Sequence, residues 1–310
     1  MNKANHTDIS EFVLLGFGKL YNLKILIFIS FFVIYIATLF GNLLIIILVS
    51  TSQQLNTPMY SFLMHLSICD IVFTTNIVPN MLHDILHEVG KMSMKGCVLQ
   101  FYVYGSSTVA ECFILSVMSY DRYLAICNPL LYTASMNLCI SIKLVCVCWL
   151  LGFLVTLNTS LMVFSRDFCG PKLIDHFICE LSPLLKLSCS DTYTVEVVIF
   201  TLSVPIILLP FILIIMTYIC IFITVLKIPS TSGRQKTFST CSSHLTSVST
   251  YYGTLIAIYV VPRKRHLLSI NKALYLLYTV VTPLFNPIIY SLRNQDIRKA
   301  ITMLLYKTIL

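Results

Sequence analysis

Residues 23–50 read LKILIFISFFVIYIATLFGNLLIIILVS, with Lys24 as the only charge. A bilayer core about 30 Å thick takes about 20 residues of helix to cross. In hydrocarbon each backbone N–H and C=O must find its partner inside the protein, which leaves helices and closed barrels. The run is too long, and alternates too weakly, for a barrel strand. It reads as a membrane helix.

Six more runs of this kind follow, at residues 58–82, 96–126, 140–162, 195–226, 237–261 and 272–292. The expected fold is an all-α membrane protein, a seven-transmembrane helix bundle over residues 23–292. The sixth run is the most polar, because Ser239, Thr240, Ser242, Ser243, His244, Thr246, Ser247, Ser249 and Thr250 crowd its first half. Such a helix turns its hydroxyl face into the bundle. Connections are short except 163–194, which is long, polar and carries Cys169, Cys179 and Cys189. In the tail, 293–310, Ile297, Ile301, Leu304 and Leu305 alternate with Arg298, Lys299 and Lys307. That pattern suits a short amphipathic helix lying on a membrane surface.

Composition agrees. The 310 residues are 57% hydrophobic and 11% charged, against about 25% charged in soluble domains. The net charge of +8 comes from basic residues scattered between apolar runs, so no nucleic-acid surface is expected. The polar start MNKANHTDIS lacks a signal-peptide pattern, and the first span is expected to act as its own insertion signal.

Counts of Lys and Arg do not decide the orientation. Asn5-His6-Thr7 is a glycosylation acceptor, usable only in the secretory lumen. Cys97, Cys169, Cys179 and Cys189 fall at the same membrane face as Asn5, and disulfides persist on the oxidising side. Residues 1–22 are therefore expected outside and the tail in the cytoplasm, in a multi-pass protein of the plasma membrane. The other eight cysteines read as small buried hydrophobes.

Residues 118–127, MSYDRYLAIC, end the third span. An Asp-Arg pair there is costly unless paired or near water. It is either an interfacial anchor or a switch in which Asp121 restrains Arg122. Asp70 and Glu111 are acids inside apolar spans, and intramembrane acids are functional candidates by default. The alternative is a protonated carboxyl bonded to Asn or Ser. Pro287 leaves a carbonyl unpaired and bends its helix. His83 and His87 lie four apart without a third metal ligand, and are read as loop histidines.

The 118–127 string closely resembles the MAYDRYVAIC signature of vertebrate olfactory receptors, which are rhodopsin-like G-protein-coupled receptors. Other strings of that family occur in order: Gly41-Asn42, LNTPMY at 55–60, LSICD at 66–70, KTFSTCSSH at 236–244, PLFNPIIY at 283–290 and SLRN at 291–294. Departures are mild: Asn56 stands for His, Ser119 and Thr237 for Ala, and Leu284-Phe285 for Met-Leu.

The resemblance implies several roles. Four loop cysteines allow three pairings, and the family's choice is Cys97–Cys179 and Cys169–Cys189. A bonded Cys179 has no thiolate to offer, so a metal site in His176-Phe177-Ile178-Cys179-Glu180 is not expected. Asn42, Asp70 and Asn286 should form a polar cluster that Glu111 joins, able to hold a sodium ion; no other cofactor is expected. Asp121, Arg122, Tyr123, Tyr218, His244, Asn286, Pro287 and Tyr290 form the activation switch. Tyr218 and Tyr290 turn toward Arg122 as the sixth helix swings out to admit a G protein.

Family geometry also projects a ligand pocket. It takes Tyr104, Gly105, Thr108, Val109 and Cys112 from the third span, and Ser203, Ile206 and Ile207 from the fifth. The sixth gives Tyr252, Leu255, Ile256 and Tyr259, and the seventh Leu276 and Thr279. No acid stands at 104–108, so a small, neutral, largely apolar odorant is expected rather than an amine. The implied function is an odorant receptor that raises cyclic AMP through a stimulatory G protein. The alternative is a rhodopsin-like receptor for another small molecule, or an odorant-type receptor used outside the nose. A transporter is disfavoured by the absence of repeated halves. An enzyme is disfavoured by the absence of a nucleophile–base pair in the spans.

Overall fold

The computed structural model describes residues 11–18, 23–87, 89–169, 172–260 and 268–309. In chain order the elements are β1 (Glu11–Leu14), α1 (Lys24–Thr51), α2 (Pro58–His87), β2 (Gly90–Ser93), α3 (Met94–Cys127), α4 (Pro129–Ser135) and α5 (Leu138–Phe164). They continue with β3 (Leu173–Ile174), α6 (Leu181–Leu185), α7 (Tyr193–Leu226), α8 (Thr231–Val260), α9 (Leu268–Leu276), α10 (Thr282–Arg293) and α11 (Gln295–Ile309). A five-residue π-helical stretch, Leu277–Val281, joins α9 to α10. Among the described residues, six helical runs are long and apolar enough to cross a membrane: α1, α2, α3, α5, α7 and the α9–α10 run. The polar α8 is the seventh long helix.

Burial sorts these helices. The most apolar windows of α2 and α3 are 61% and 56% buried, against 22% for α1, α5 and α7. α3 packs on α2, α5 and α7 and so forms the axis of the bundle. α1, α5 and α7 turn residues such as Phe40, Leu161 and Phe200 outward, as lipid-facing helices do. α3 touches α5 closely: a Cβ on Gly152 would lie 2.5 Å from the carbonyl oxygen of Ser106. Ser93 and Asn137 cap α3 and α5 by accepting from the Gly96 and Ile140 amides at 3.1 and 2.9 Å.

Two boundaries differ from the hydropathy reading. α8 begins at Thr231, where polar residues hid the start of the helix. α2 runs on to His87, because Met81, Leu82 and Ile85 keep a buried face at helical spacing. His83 and His87 are therefore helical, not loop, residues, with rings stacked 4.1 Å apart. α11 buries Ile297 and Ala300, packs Ile301 and Leu304 against the core, and exposes Arg298 and Lys299.

At one end a small sheet has the order β2-β1-β3, antiparallel then parallel. β1 buries Phe12 and Leu14 against Ile174, Cys179 and Leu184. The hydropathy reading assigned no strand to this region. Disulfides join Cys97 to Cys179 and Cys169 to Cys189. Asn5 lies outside the described residues.

Candidate ligand cavity and switch region

Beneath the sheet lies a cavity of about 160 Å³. α3 lines it with Phe101, Tyr104, Gly105, Thr108, Val109 and Cys112, a stripe at three- and four-residue spacing. α5 adds Val155, Thr156 and Thr159, and α7 adds Ile199, Ser203, Ile206 and Ile207. Tyr251 and Leu255 come from α8, Tyr275 from α9, and Glu180 and Leu181 from the long loop. The wall is mostly aliphatic and aromatic with a few hydroxyls, as ligand sites usually are. Gly105 keeps it open, since a Cβ there would meet Thr156 Cγ2 at 2.6 Å.

The structure thus gathers nine of the residues projected for the pocket: Tyr104, Gly105, Thr108, Val109, Cys112, Ser203, Ile206, Ile207 and Leu255. Four others stand elsewhere. Tyr252 turns toward α7, where its ring lies 4.8 Å from Phe211 and its hydroxyl 2.9 Å from Cys112 Sγ. Ile256 and Tyr252 line a separate groove between α7 and α8. The cavity tyrosine of α8 is Tyr251, one residue earlier, whose hydroxyl donates to Thr108 O at 2.7 Å. Thr279 is buried and donates to Tyr275 O at 2.8 Å, and Leu276 packs into the core. The π-helical stretch Leu277–Val281, which starts just after Leu276 and contains Thr279, breaks the 3.6-residue register that the projection assumed. The side chain of Tyr259 lies outside the described residues.

Glu180 was not foreseen in the cavity. Its carboxylate accepts from the Tyr275 hydroxyl at 2.7 Å, and it is buried. No acid stands at 104–108, as read from the sequence, but one reaches the cavity wall from the long loop. The signal was present, because the family disulfide fastens Cys179 to the start of the third span.

Deeper in the bundle, Asn286 Nδ2 donates to both carboxylate oxygens of Asp70, at 3.0 and 3.3 Å. Glu111 is buried and close enough to interact electrostatically with Asp70. Asn42 donates instead to Thr38 O and Pro283 O, at 3.0 and 3.1 Å. It ties α1 to α10, and its side-chain oxygen is buried without a partner among the described residues.

At the far end of α3, Arg122 donates to Asp121 through Nε at 3.0 Å and through Nη2. Tyr132 of α4 lies beside this pair; burial, and then the Asp121 carboxylate, push its phenol up to about 12. Tyr218 is bonded across to His244 Nδ1 at 2.6 Å, linking α7 to α8. Tyr123 accepts from Asn128 Nδ2 at 3.2 Å. Tyr290 is buried beside Ser247, and Pro287 lies inside α10. Ser119 accepts from Thr217 of α7 at 3.2 Å.

Six helical runs apolar enough to cross a membrane, the polar α8 packed among them, a mostly apolar cavity near one end and a closed Asp-Arg pair near the other fit a membrane receptor of the seven-helix class. A family model described as olfactory receptor matches residues 31–308. Human olfactory receptor 11L1 is 45% identical over 301 residues, covering 97% of this chain and 94% of the relative. Human olfactory receptor 11A1 is 46% identical over 305 residues, covering 98% and 96%. Mouse olfactory receptor 5G25 is 44% identical over 301 residues, covering 97% and 95%. The chain belongs to the olfactory receptor family. It is a multi-pass membrane receptor and not an enzyme.

Proposed function

We propose that the cavity binds a small, largely apolar volatile molecule, and that binding favours a state able to engage a stimulatory G protein and raise cyclic AMP. The observation that carries this reading is the mostly apolar cavity of about 160 Å³ beneath the sheet. An engineered apolar cavity of about 150 Å³ takes up benzene, so a ligand of about that size fits. With so few atoms the binding energy is about 4–6 kcal/mol, or millimolar to tens of micromolar affinity. Modest affinity suits a detector of volatile compounds.

The sheet end then faces outward, with residues 1–22, Asn5 and the two disulfides, and α11 lies on the cytoplasmic side. The closed Asp121–Arg122 pair and the Tyr218–His244 bond fit a resting state. A ligand shifts the population only by its differential affinity for the two states. In the active state Arg122 is freed, Tyr218 and Tyr290 turn toward it, and α8 swings away around the Pro287 region. The buried acids Asp70 and Glu111, with Asn286 beside them, fit a monovalent cation. A sodium ion there would supply the positive charge that two neighbouring carboxylates lack.

The test is a screen of volatile compounds on cells expressing the chain with a cyclic AMP reporter. At least one compound raises cyclic AMP in a dose-dependent way, and Leu255→Trp, which fills the cavity, removes that response. A response unaltered by Leu255→Trp would place the ligand elsewhere.

A further inference from the structure

His83 and His87 stand four residues apart at the end of α2, so one helix face carries both. Both are exposed. Their rings stack with centroids 4.1 Å apart and planes 19° from parallel. Each ring has one nitrogen engaged. His87 Nδ1 lies 2.9 Å from the His83 carbonyl oxygen. A carbonyl oxygen only accepts, so that Nδ1 carries the proton. His83 Nδ1 lies 3.4 Å from Asp84 Oδ1, and a carboxylate also only accepts. In a neutral imidazole protonated at Nδ1, Nε2 keeps a free lone pair. One face of α2 thus offers two Nε2 lone pairs, each ring oriented by an acceptor at its other nitrogen.

That is the arrangement found around metal-bound histidines, whose second N–H goes to a carboxylate or a backbone carbonyl. Asp84 adds charge to it. The side chain is buried, and it packs so closely on Gly90 of β2 that a Cβ there would collide with the carboxylate. Its Oδ2 has no hydrogen-bond partner among the described residues. A cation held by His83 would therefore sit beside a fixed, buried carboxylate.

We infer that His83 and His87 form a two-histidine site for a divalent copper or zinc ion, bound through Nε2 of each ring, with Asp84 as the positioning carboxylate. Metal–imidazole bonds are about 2.0–2.1 Å long, so rings 4.1 Å apart are close enough to share one ion. Imidazole suits copper, nickel and zinc, whereas magnesium and calcium prefer oxygen ligands. Among the described residues no group of three metal-ligating side chains stands together, so water completes the coordination and the ion is an exchangeable one. The pair lies outside the cavity lining and apart from the Asp70–Asn286 cluster. It goes beyond the odorant reading and depends neither on the cavity ligand nor on a G protein.

The experiment uses the full chain purified into lipid nanodiscs, with the copper(II) complex of iminodiacetate as the probe. The chelator leaves open positions for a histidine pair, and electron spin-echo envelope modulation counts the imidazoles on the copper. The expected result is a bound probe carrying two imidazoles, displaced by excess zinc ion and not by excess magnesium ion. His83→Ala and His87→Ala each remove the two-imidazole signal and weaken binding at least as much as the about 10–100-fold lost with an outer-shell partner. Both positions are exposed, so metal-free unfolding midpoints stay where they were. Asp84→Asn keeps the two-imidazole signal and weakens binding about tenfold; unchanged affinity there overturns the role of Asp84. A probe bound through one imidazole or none on the unaltered receptor overturns the site, as does displacement by magnesium or a signal that survives either histidine variant. The count on the unaltered receptor needs no variant, so a variant that fails to fold does not shield the idea.

Discussion

The two ends of the bundle are held in different ways. At the cavity end two disulfides, a three-stranded sheet and a buried apolar cluster fix the loop over the helices. At the Arg122 end the described ties between helices are a small apolar cluster around Ile221, Val225 and Cys241 and scattered hydrogen bonds, among them Tyr218 to His244 between α7 and α8, and Thr217 to Ser119 and Thr224 to Cys127 between α7 and α3. A net hydrogen bond contributes about 1 kcal/mol, whereas a disulfide closing a long loop contributes about 3–5 kcal/mol. One end is built to keep its shape around a ligand. The other can exchange partners at a cost that a small ligand can offset.

That contrast can be broken at several strengths. The largest effect is expected from Arg122→Ala, which should abolish the cyclic AMP response. It also leaves the buried Asp121 without its cation, a change that typically costs about 3–5 kcal/mol, so surface expression must be measured alongside. Normal signalling in this variant would remove Arg122 from the switch. Next come the disulfides. Cys97→Ser opens a link with a sequence separation of 82, and Cys169→Ser one of 20. Loop-closure entropy gives about 4.5 and about 3.3 kcal/mol. Surface expression should fall more for Cys97→Ser, and the reverse order would count against the entropic account.

Gly152→Ala should cost about 1–3 kcal/mol by overpacking, because the new methyl lands on the backbone of α3 rather than on a side chain that can move. An unchanged unfolding midpoint would show that α3 and α5 can part freely. His244→Leu, which removes the resting bond and leaves the Tyr218 hydroxyl free to turn toward Arg122, should raise basal cyclic AMP about fivefold, the effect of losing roughly 1 kcal/mol that favours the resting state. Ser119→Ala restores the family's usual residue. It removes the Thr217 contact and should raise basal activity by less than His244→Leu. A fall in basal activity in either variant would mean that these bonds stabilise the active state.

The helices were legible because membrane hydropathy is coarse: a run of 20 apolar residues needs no exact register. The Asp121–Arg122 pair was legible for a similar reason, since charge at the end of an apolar run has few solutions. The cavity was harder. Tyr251 and Tyr252 are neighbours, and about 100° of helical turn separates lining the cavity from facing α7. The π-helical stretch at Leu277–Val281 has no residue signature that would have warned of shifted positions at Leu276 and Thr279. β1 and β3 span four and two residues, too few to show alternation. Their pairing joins Val13 to Leu173, a partner that local pattern cannot name. Glu180 was missed because its place depends on a disulfide, a tyrosine on α9 and a loop together.

The central claim is that ligand in the rigid end opens the other end. It is tested most directly by electron–electron distance measurement between spin labels at Phe238 on α8 and Thr133 on α4, with exposed Cys139, Cys146 and Cys220 replaced. A second pair, at Leu99 on α3 and Leu161 on α5, reports the cavity end. With a saturating active volatile the first distance distribution should gain a longer population, while the second stays where it was. A first distribution that does not move, in a receptor whose unfolding midpoint shows the ligand bound, would contradict the account.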